Sequence, residues 1–167
     1  QQEMKRLLAY SSLENIGIIV IGMGLGLIGI SRHDPISILF GFGGMLLHVW
    51  NHAIFKGLLF LGAGSVVHAT RSRQIDQLGG LTKKMPVTAA LFLIASAAIC
   101  GLPPFNGFIS EWLIYLGLFS GIQTMTRSSL FLTIAGAVGV AFSGGLAIAC
   151  FTKVYGVVFL GEARTDV

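Results

Sequence analysis

A mostly apolar run from residue 36 to residue 67 carries three ionisable side chains, His48, His52 and Lys56, spaced four residues apart. Such a run predicts a membrane-spanning helix, because about 20 predominantly apolar residues cross the hydrocarbon core of a bilayer. Residues at this spacing lie in one row along a helix. An ionisable group at the bilayer centre costs about 2.5–3.5 kcal/mol on insertion scales, so each of the three is expected to have a partner or a task. We interpret the row as a path for protons.

The composition indicates that lipid is the solvent of this chain. Of its 167 residues, 54% are hydrophobic and 11% are charged, whereas soluble domains carry about 25% charged residues. The 23 glycines are typical of close helix–helix contacts in a membrane. The net charge of +4 comes from basic residues between the apolar runs, as in membrane loops and unlike a nucleic-acid surface. The lipid bilayer is therefore an expected partner, and nucleic acid is not.

The apolar runs predict an all-α, polytopic transmembrane helix bundle. We expect a single membrane domain over 1–167, with four spans at about 7–30, 35–69, 86–120 and 128–160. The third span is predicted to be broken at Pro103 and Pro104, because two prolines remove backbone donors and clash with the preceding turn. Broken helices occur at membrane depth where the freed backbone is buried in protein or lines a wet cavity. A kink that serves only packing is the alternative.

The basic residues predict the orientation of the bundle. One side carries seven of them, namely Lys5, Arg6, Arg71, Arg73, Lys83, Lys84 and Arg164, whereas the other side has Arg32 and Arg127. By the positive-inside rule, both ends and the central loop are expected on the cytoplasmic side. Because the chain opens on Gln1 without an initiator Met or a signal peptide, we interpret it as an internal piece of a longer polytopic protein.

Three further ionisable residues lie within the apolar runs. Glu111 follows the predicted break on its outward side, and Lys56 is its expected opposite charge. Glu14, about two turns into the first span, fits either a structural ion pair or a place in a proton relay. Lys153 lies near the cytoplasmic end of the fourth span, where a structural role with its charge at the interface is favoured over a place in the relay. The candidate relay residues are thus His48, His52, Lys56, Glu111, Glu14 and Lys153.

The sequence favours neither a metal site nor redox chemistry. A metal at His48 and His52 would need further ligands, and within the spans only Glu14 and Glu111 can supply them. The two cysteines lie in apolar runs without a pairing pattern, so they indicate neither a disulfide nor a metal site. No phosphate-cradling Gly-Lys-Ser motif and no nucleophile elbow occurs. We therefore predict no metal, no cofactor and no redox or hydrolytic site in this chain.

Four motifs resemble the antiporter-like membrane subunits shared by respiratory complex I, Mrp-type cation/proton antiporters and membrane-bound hydrogenases. They are Lys5-Arg-Leu-Leu-Ala-Tyr-Ser-Ser12, His48-x3-His52-x3-Lys56-Gly-Leu-Leu-Phe-Leu, Gly101-Leu-Pro-Pro-Phe-Asn-Gly-Phe-Ile-Ser-Glu111 and Thr152-Lys-Val-Tyr-Gly-Val-Val-Phe-Leu-Gly161. The resemblance covers essentially the whole chain. It implies the C-terminal half of an antiporter-like inverted-repeat fold. In that fold Lys56 is the central lysine, His48 and His52 connect the relay, and Glu111 takes its terminal position.

The pair Glu14-Asn15 resembles the hydrogenase-4 and formate hydrogenlyase branch of this family. The resemblance implies a proton-translocating subunit of an energy-converting hydrogenase or formate hydrogenlyase complex in a prokaryotic inner membrane. The implied partners are other membrane subunits of a respiratory or hydrogenase complex, and H⁺ or Na⁺ as the ion. The alternatives are an Mrp-type Na⁺/H⁺ antiporter subunit or a subunit of complex I. A structural membrane scaffold is an alternative of another class, disfavoured by the density of ionisable groups along two spans.

Overall fold

A computed structural model describes residues 3–120 and 127–164 of the chain. Its α-helices are α1 (Met4–Arg32), α2 (Pro35–Thr70), α3 (Pro86–Ile99), α4 (Asn106–Phe119) and α5 (Arg127–Phe159), with a 3-10 turn at Ile75–Gln77. The helices α1, α2 and α5 are long and apolar enough to cross a membrane, and α3 is a shorter apolar helix. The predicted all-α membrane bundle is confirmed.

A short turn joins α1 to α2 and holds them side by side in opposite directions. His33 ends α1 in the left-handed conformation, with φ 53°, and Pro35 begins α2, where its missing N–H costs no helical hydrogen bond. Between them, Asp34 accepts hydrogen bonds from the first backbone amides of α2 and, at 2.6 Å, from the Ser37 hydroxyl. The hydroxyl bond of Ser37 lowers the pKa of the Asp34 carboxyl below its usual value.

The backbones of α1 and α2 approach each other at glycines. A Cβ added at Gly41 would lie 2.5 Å from the backbone nitrogen of Gly26 and 2.9 Å from the carbonyl oxygen of Gly22. Small residues permit this spacing between helices in a membrane, where packing rather than hydrophobic burial drives association. The close contact fixes the register between α1 and α2, and this register positions the polar side chains described below.

Replacing Gly41 with Ala is expected to destabilise the bundle by about 1–3 kcal/mol, because the added methyl would meet backbone atoms that cannot move aside. Gly43, on the same helix, is the matched control, since a Cβ there has no neighbour within 4 Å. Gly43→Ala should leave stability unchanged or raise it by up to about 1 kcal/mol through helix propensity. Thermal unfolding of the complete detergent-solubilised protein checks both variants. Equal midpoints would contradict the close contact.

The predicted break separates α3 from α4. Residues 100–105 connect the two helices, with Gly101 at φ 62° and a cis peptide bond between Pro103 and Pro104. The start of α4 folds back against the end of α3, so that a Cβ at Gly107 would collide with the carbonyl oxygen of Ala98. The interruption expected from the two prolines is confirmed, and it turns the chain within the bundle rather than merely bending one helix.

Two apolar clusters form the core. The larger joins the start of α1, the second half of α2, α3 and the end of α5, and the smaller joins α1, α4 and α5. On α1, Leu8 belongs to the larger cluster and Ile18 to the smaller, while Ser11 and Asn15 are buried between them. A layer of polar side chains therefore crosses the bundle between the two clusters.

Candidate functional site

The polar layer brings together buried side chains from three helices. Ser11 and Asn15 come from α1, His48, Asn51 and Lys56 from α2, and Ser110 from α4. All six are buried, and polar groups are buried at low cost only when they are hydrogen-bonded. Since α1 and α2 run in opposite directions, the successive turns of α2 meet the successive turns of α1 in reverse order.

His48 connects the three helices. Its side chain is fully buried, with Nδ1 at 2.9 Å from the Ser110 hydroxyl on α4 and Nε2 at 3.2 Å from Oδ1 of Asn15 on α1. Asn51, on the next turn of α2, donates to the carbonyl oxygen of Asn106 at 2.8 Å and to the Ser110 hydroxyl at 3.3 Å. Both ring nitrogens of His48 therefore have hydrogen-bond partners. His48 and Asn51 together bond α2 to the first turns of α4, immediately after the break.

Lys56 lies two turns further along α2 and faces the start of α1. Its ammonium donates to the carbonyl oxygen of Leu8 at 2.6 Å and to the Ser11 hydroxyl at 2.5 Å. Ser11 and the half-buried Glu14 side chain, one turn apart on α1, line a groove of about 290 Å³ between α1 and α5. The structure thus provides Lys56 with neutral hydrogen-bond acceptors and a carboxylate in its vicinity.

His52 does not form a direct link between its two neighbours in the row. Its side chain is half-buried, and its ring stands edge-on to Phe55 at a centroid distance of 5.6 Å. Its buried Nε2 has no hydrogen-bond partner among the described residues, and the same holds for Oε1 of Glu14. The row predicted on α2 therefore has its two ends anchored to α1, while its middle member has a buried ring nitrogen without a hydrogen-bond partner among the described residues.

Glu111 lies at the break. Its carboxylate is packed on Gly101, where an added Cβ would be 2.7 Å from Oε2. Together with Tyr115 it lines a cavity of about 470 Å³ that reaches α5 at Gly144 and Gly145. The half-buried side chain of Glu111 thus has both a fixed position and access to open space.

The structure does not pair Glu111 with Lys56, contrary to the expectation from the sequence. The reason is that Glu111 and Lys56 lie at different levels along the axis of the bundle. Ser110, the neighbour of Glu111, contacts His48, and His48 is eight residues from Lys56, which corresponds to about 12 Å along a helix. The carboxylate beside the α1 partners of Lys56 is that of Glu14, which lines the same groove as Ser11.

The remaining candidates lie apart from this layer. Lys153 is exposed on α5 and lines a pocket of about 140 Å³ together with Leu7 and Cys150. Cys100 and Cys150 are free thiols. Within residues 3–120 and 127–164, no group of three or more His, Cys, Asp or Glu side chains is arranged to hold a metal ion.

The sequence reasoning missed Ser11, Asn51 and Ser110 as members of the site. A signal exists for α1, because Ser11 and Asn15 are four residues apart in an otherwise apolar run and so share a face. Ser110 lies next to Glu111 in the motif after the break, but its contact with His48 depends on how α4 packs on α2. Chemically, the site combines groups that gain and lose protons with hydroxyl and amide groups that hold them in place.

Comparison with known proteins places the chain among membrane subunits. The family model described as NADH:quinone oxidoreductase/Mrp antiporter, transmembrane, matches residues 1–143. The chain is 45% identical to hydrogenase-4 component B of Escherichia coli (strain K12), with 99% of this chain and 25% of the relative covered. It is 47% identical to formate hydrogenlyase subunit 3 of the same organism, with 99% and 27% covered. A Na⁺/H⁺ antiporter subunit of Alkalihalophilus pseudofirmus is 40% identical over 126 residues, with 74% and 16% covered. The chain thus spans about a quarter of the length of the first two relatives.

Proposed function

The chain belongs to the NADH:quinone oxidoreductase/Mrp antiporter transmembrane family, and from this premise we propose that it translocates protons across a bacterial inner membrane. We propose further that it works as a subunit of an energy-converting hydrogenase or formate hydrogenlyase complex, with other membrane subunits as partners. The identity to subunits of both complexes, over nearly the whole chain, supports this assignment. The excess of Lys and Arg on one side supports an orientation with both ends in the cytoplasm.

The observation that carries the proposal is the environment of Lys56. Its ammonium is buried, and its hydrogen bonds go to two neutral oxygens, those of Leu8 and Ser11. A neutral amine has two N–H donors and satisfies the same two acceptors as the ammonium. Both acceptors are thus satisfied in either protonation state of Lys56, and the third N–H of the ammonium, which has no hydrogen-bond partner among the described residues, is the one that can be exchanged.

The other ionisable groups receive roles from their places around Lys56. His48 and His52 would relay protons along α2. Glu111 would exchange protons with the cavity at the break, and Glu14 would balance the charge of Lys56 from α1. Lys153, exposed on α5 and apart from this layer, keeps the structural role at the membrane interface, with a place in the path as the alternative.

A role in Na⁺/H⁺ antiport is the second candidate function, supported by the identity to the antiporter subunit of Alkalihalophilus pseudofirmus. The two functions differ in their ion dependence. Proton movement that continues unchanged when Na⁺ is replaced by K⁺ on both sides of the membrane would favour the hydrogenase-type subunit. Proton movement that stops on this replacement would favour the antiporter.

Replacing His48 with Gln is expected to slow proton translocation about tenfold or more, because Gln keeps hydrogen-bonding capacity but cannot carry a proton. His52→Gln should cost less, since Nε2 of His52 has no hydrogen-bond partner among the described residues. His68, exposed in the last turn of α2, is the matched control, and His68→Gln should leave the rate unchanged. The measurement is the initial rate of proton uptake into inverted vesicles that hold the complete complex, normalised to assembled protein. Wild-type rates in both the His48 and His52 variants would contradict their place in the path.

A further inference from the structure

The hydrogen-bond polarity at Nε2 of His48 is fixed by α1. The side-chain amide nitrogen of Asn15 donates to the carbonyl oxygen of Ser11 at 2.9 Å, so the amide oxygen is the atom that faces His48. In the opposite orientation two oxygen acceptors would face each other across that 2.9 Å distance. An amide oxygen only accepts, and therefore Nε2 of His48 carries a hydrogen whether the ring is neutral or charged. The nitrogen that changes its protonation state is Nδ1.

The Ser110 hydroxyl, which is the partner of Nδ1, has two close acceptors and a more distant third one, the carbonyl oxygen of Asn106 at 3.4 Å. The Ser110 hydroxyl oxygen lies 2.9 Å from Nδ1 of His48 and also 2.9 Å from the carbonyl oxygen of Gly107, one turn earlier on α4. Asn51 donates to the same hydroxyl oxygen. The single hydrogen of the Ser110 hydroxyl is therefore directed to one of the two close acceptors, Nδ1 of His48 or the carbonyl oxygen of Gly107.

Each direction suits one charge state of His48. When the ring is neutral, Nδ1 has a lone pair, and the Ser110 hydroxyl donates to it. When the ring is an imidazolium, Nδ1 carries a hydrogen and donates to Ser110, whose own hydrogen then points to Gly107. Both states have every ring nitrogen hydrogen-bonded without movement of any heavy atom.

We infer that Ser110 relays the proton to and from Nδ1 of His48, with its hydroxyl directed to His48 when the ring is neutral and to Gly107 when the ring is charged. The inference rests on the proposed function, in which His48 takes part in proton transfer. Ser110 immediately precedes Glu111 in the first turns of α4. The turning hydroxyl therefore lies where the proposed proton path passes from α2 to the break.

In the proton transfer to Nδ1 of His48, the proton donor is a hydronium ion at the break between α3 and α4. One O–H bond of the hydronium ion breaks and a new O–H bond forms on Ser110, while the O–H bond already on Ser110 breaks and an N–H bond forms at Nδ1 of His48. A water molecule and an imidazolium remain, and no electrons are transferred. Release of the proton to a water molecule follows the same steps in reverse.

Replacing Ser110 with Ala is expected to slow proton translocation about tenfold, the effect of removing one hydrogen bond to a charged group. Ser96→Ala is the matched control, because Ser96 is equally a buried helical serine but its hydroxyl has no hydrogen-bond partner among the described residues. This control should transport protons at the wild-type rate. Ser110→Thr keeps the hydroxyl and should recover most of the loss, a rescue that a purely space-filling role of Ser110 does not predict.

The second readout is nitrogen NMR of ¹⁵N-histidine-labelled complete protein, with the His48 signals assigned by their loss in His48→Gln. Neutral His48 is expected as the Nε2–H tautomer, and the resonance of Nδ1 should shift in Ser110→Ala but not in Ser96→Ala. A neutral Nδ1–H tautomer, or a wild-type transport rate in Ser110→Ala, would overturn the inference. If Ser110→Thr does not assemble, the transport rates of Ser110→Ala and Ser96→Ala and the tautomer of neutral His48 decide whether the inference holds.

Failure of this inference is distinguishable from failure of the proposed function. If Lys56→Met stops translocation while Ser110→Ala transports protons at the wild-type rate, only the role of Ser110 is wrong. If Lys56→Met also transports protons at the wild-type rate, the proposed function itself is overturned.

Discussion

Replacement of Lys56 by Met is expected to reduce proton translocation to the passive leak of the membrane, while the complex still assembles. Met has nearly the length and volume of the Lys stem but no proton to exchange, so the path is interrupted at its centre. The bundle should tolerate the change, because two neutral oxygens rather than a carboxylate bond the ammonium of Lys56. Met therefore leaves no carboxylate without a direct hydrogen-bond partner. The initial rate of proton uptake into vesicles, compared with the amount of complex on a native gel, measures the effect.

Lys83 provides the matched control for this variant. It is exposed in the loop between α2 and α3, where Lys83→Met removes the same charge from a residue outside the polar layer. Its transport rate should equal that of the wild type. Equal rates for Lys56→Met and Lys83→Met, at equal assembly, would show that Lys56 is a structural residue and would remove the basis of the proposed function.

Replacement of Glu111 by Gln is the second change expected to abolish translocation. The two side chains have nearly the same shape, so the packing of Glu111 on Gly101 should be preserved. Gln can donate and accept hydrogen bonds but cannot gain or lose a proton at neutral pH. A path that reaches the cavity at the break through Glu111 would therefore end there. The same vesicle assay measures the loss, with thermal unfolding to establish that the fold is retained.

Glu162, exposed after the end of α5, is the control for the Glu111 variant. Glu162→Gln removes a carboxylate of equal size far from the polar layer and should transport protons normally. If Glu111→Gln also transports at the wild-type rate, the terminal position of the path lies elsewhere, and the cavity at Gly101 loses its proposed role.

The sequence predicts the fold well because the decisive signals are local. Long apolar runs specify helices in lipid, where every backbone polar group must be bonded within the segment. Pro103 and Pro104 interrupt such a helix whatever surrounds them, so the break could be read from the chain. The turn at Asp34 and Pro35 follows from capping chemistry in the same way.

The partners within the site could not be predicted in this way, because they depend on how the helices pack. The sequence predicts an opposite charge on α4 for Lys56, but the ammonium bonds the start of α1, a partner that depends on how α1 packs on α2. Ser110 lies beside Glu111 in a motif visible in the sequence, but that position does not show that its hydroxyl bonds His48 while the hydroxyl of Ser96 has no partner among the described residues. The ionisable residues were visible from the sequence, whereas the neutral residues that orient them required the structure.

The most direct test of the central claim is the number of protons translocated per turnover of the complete complex, measured in the same vesicles for the wild type and for Lys56→Met. Counting protons against turnovers separates a blocked path from a complex that has merely become slow. We predict a ratio at the level of passive leak for Lys56→Met, and the wild-type ratio for Lys83→Met. A Lys56→Met complex that translocates as many protons per turnover as the wild type would contradict a proton path through this buried lysine.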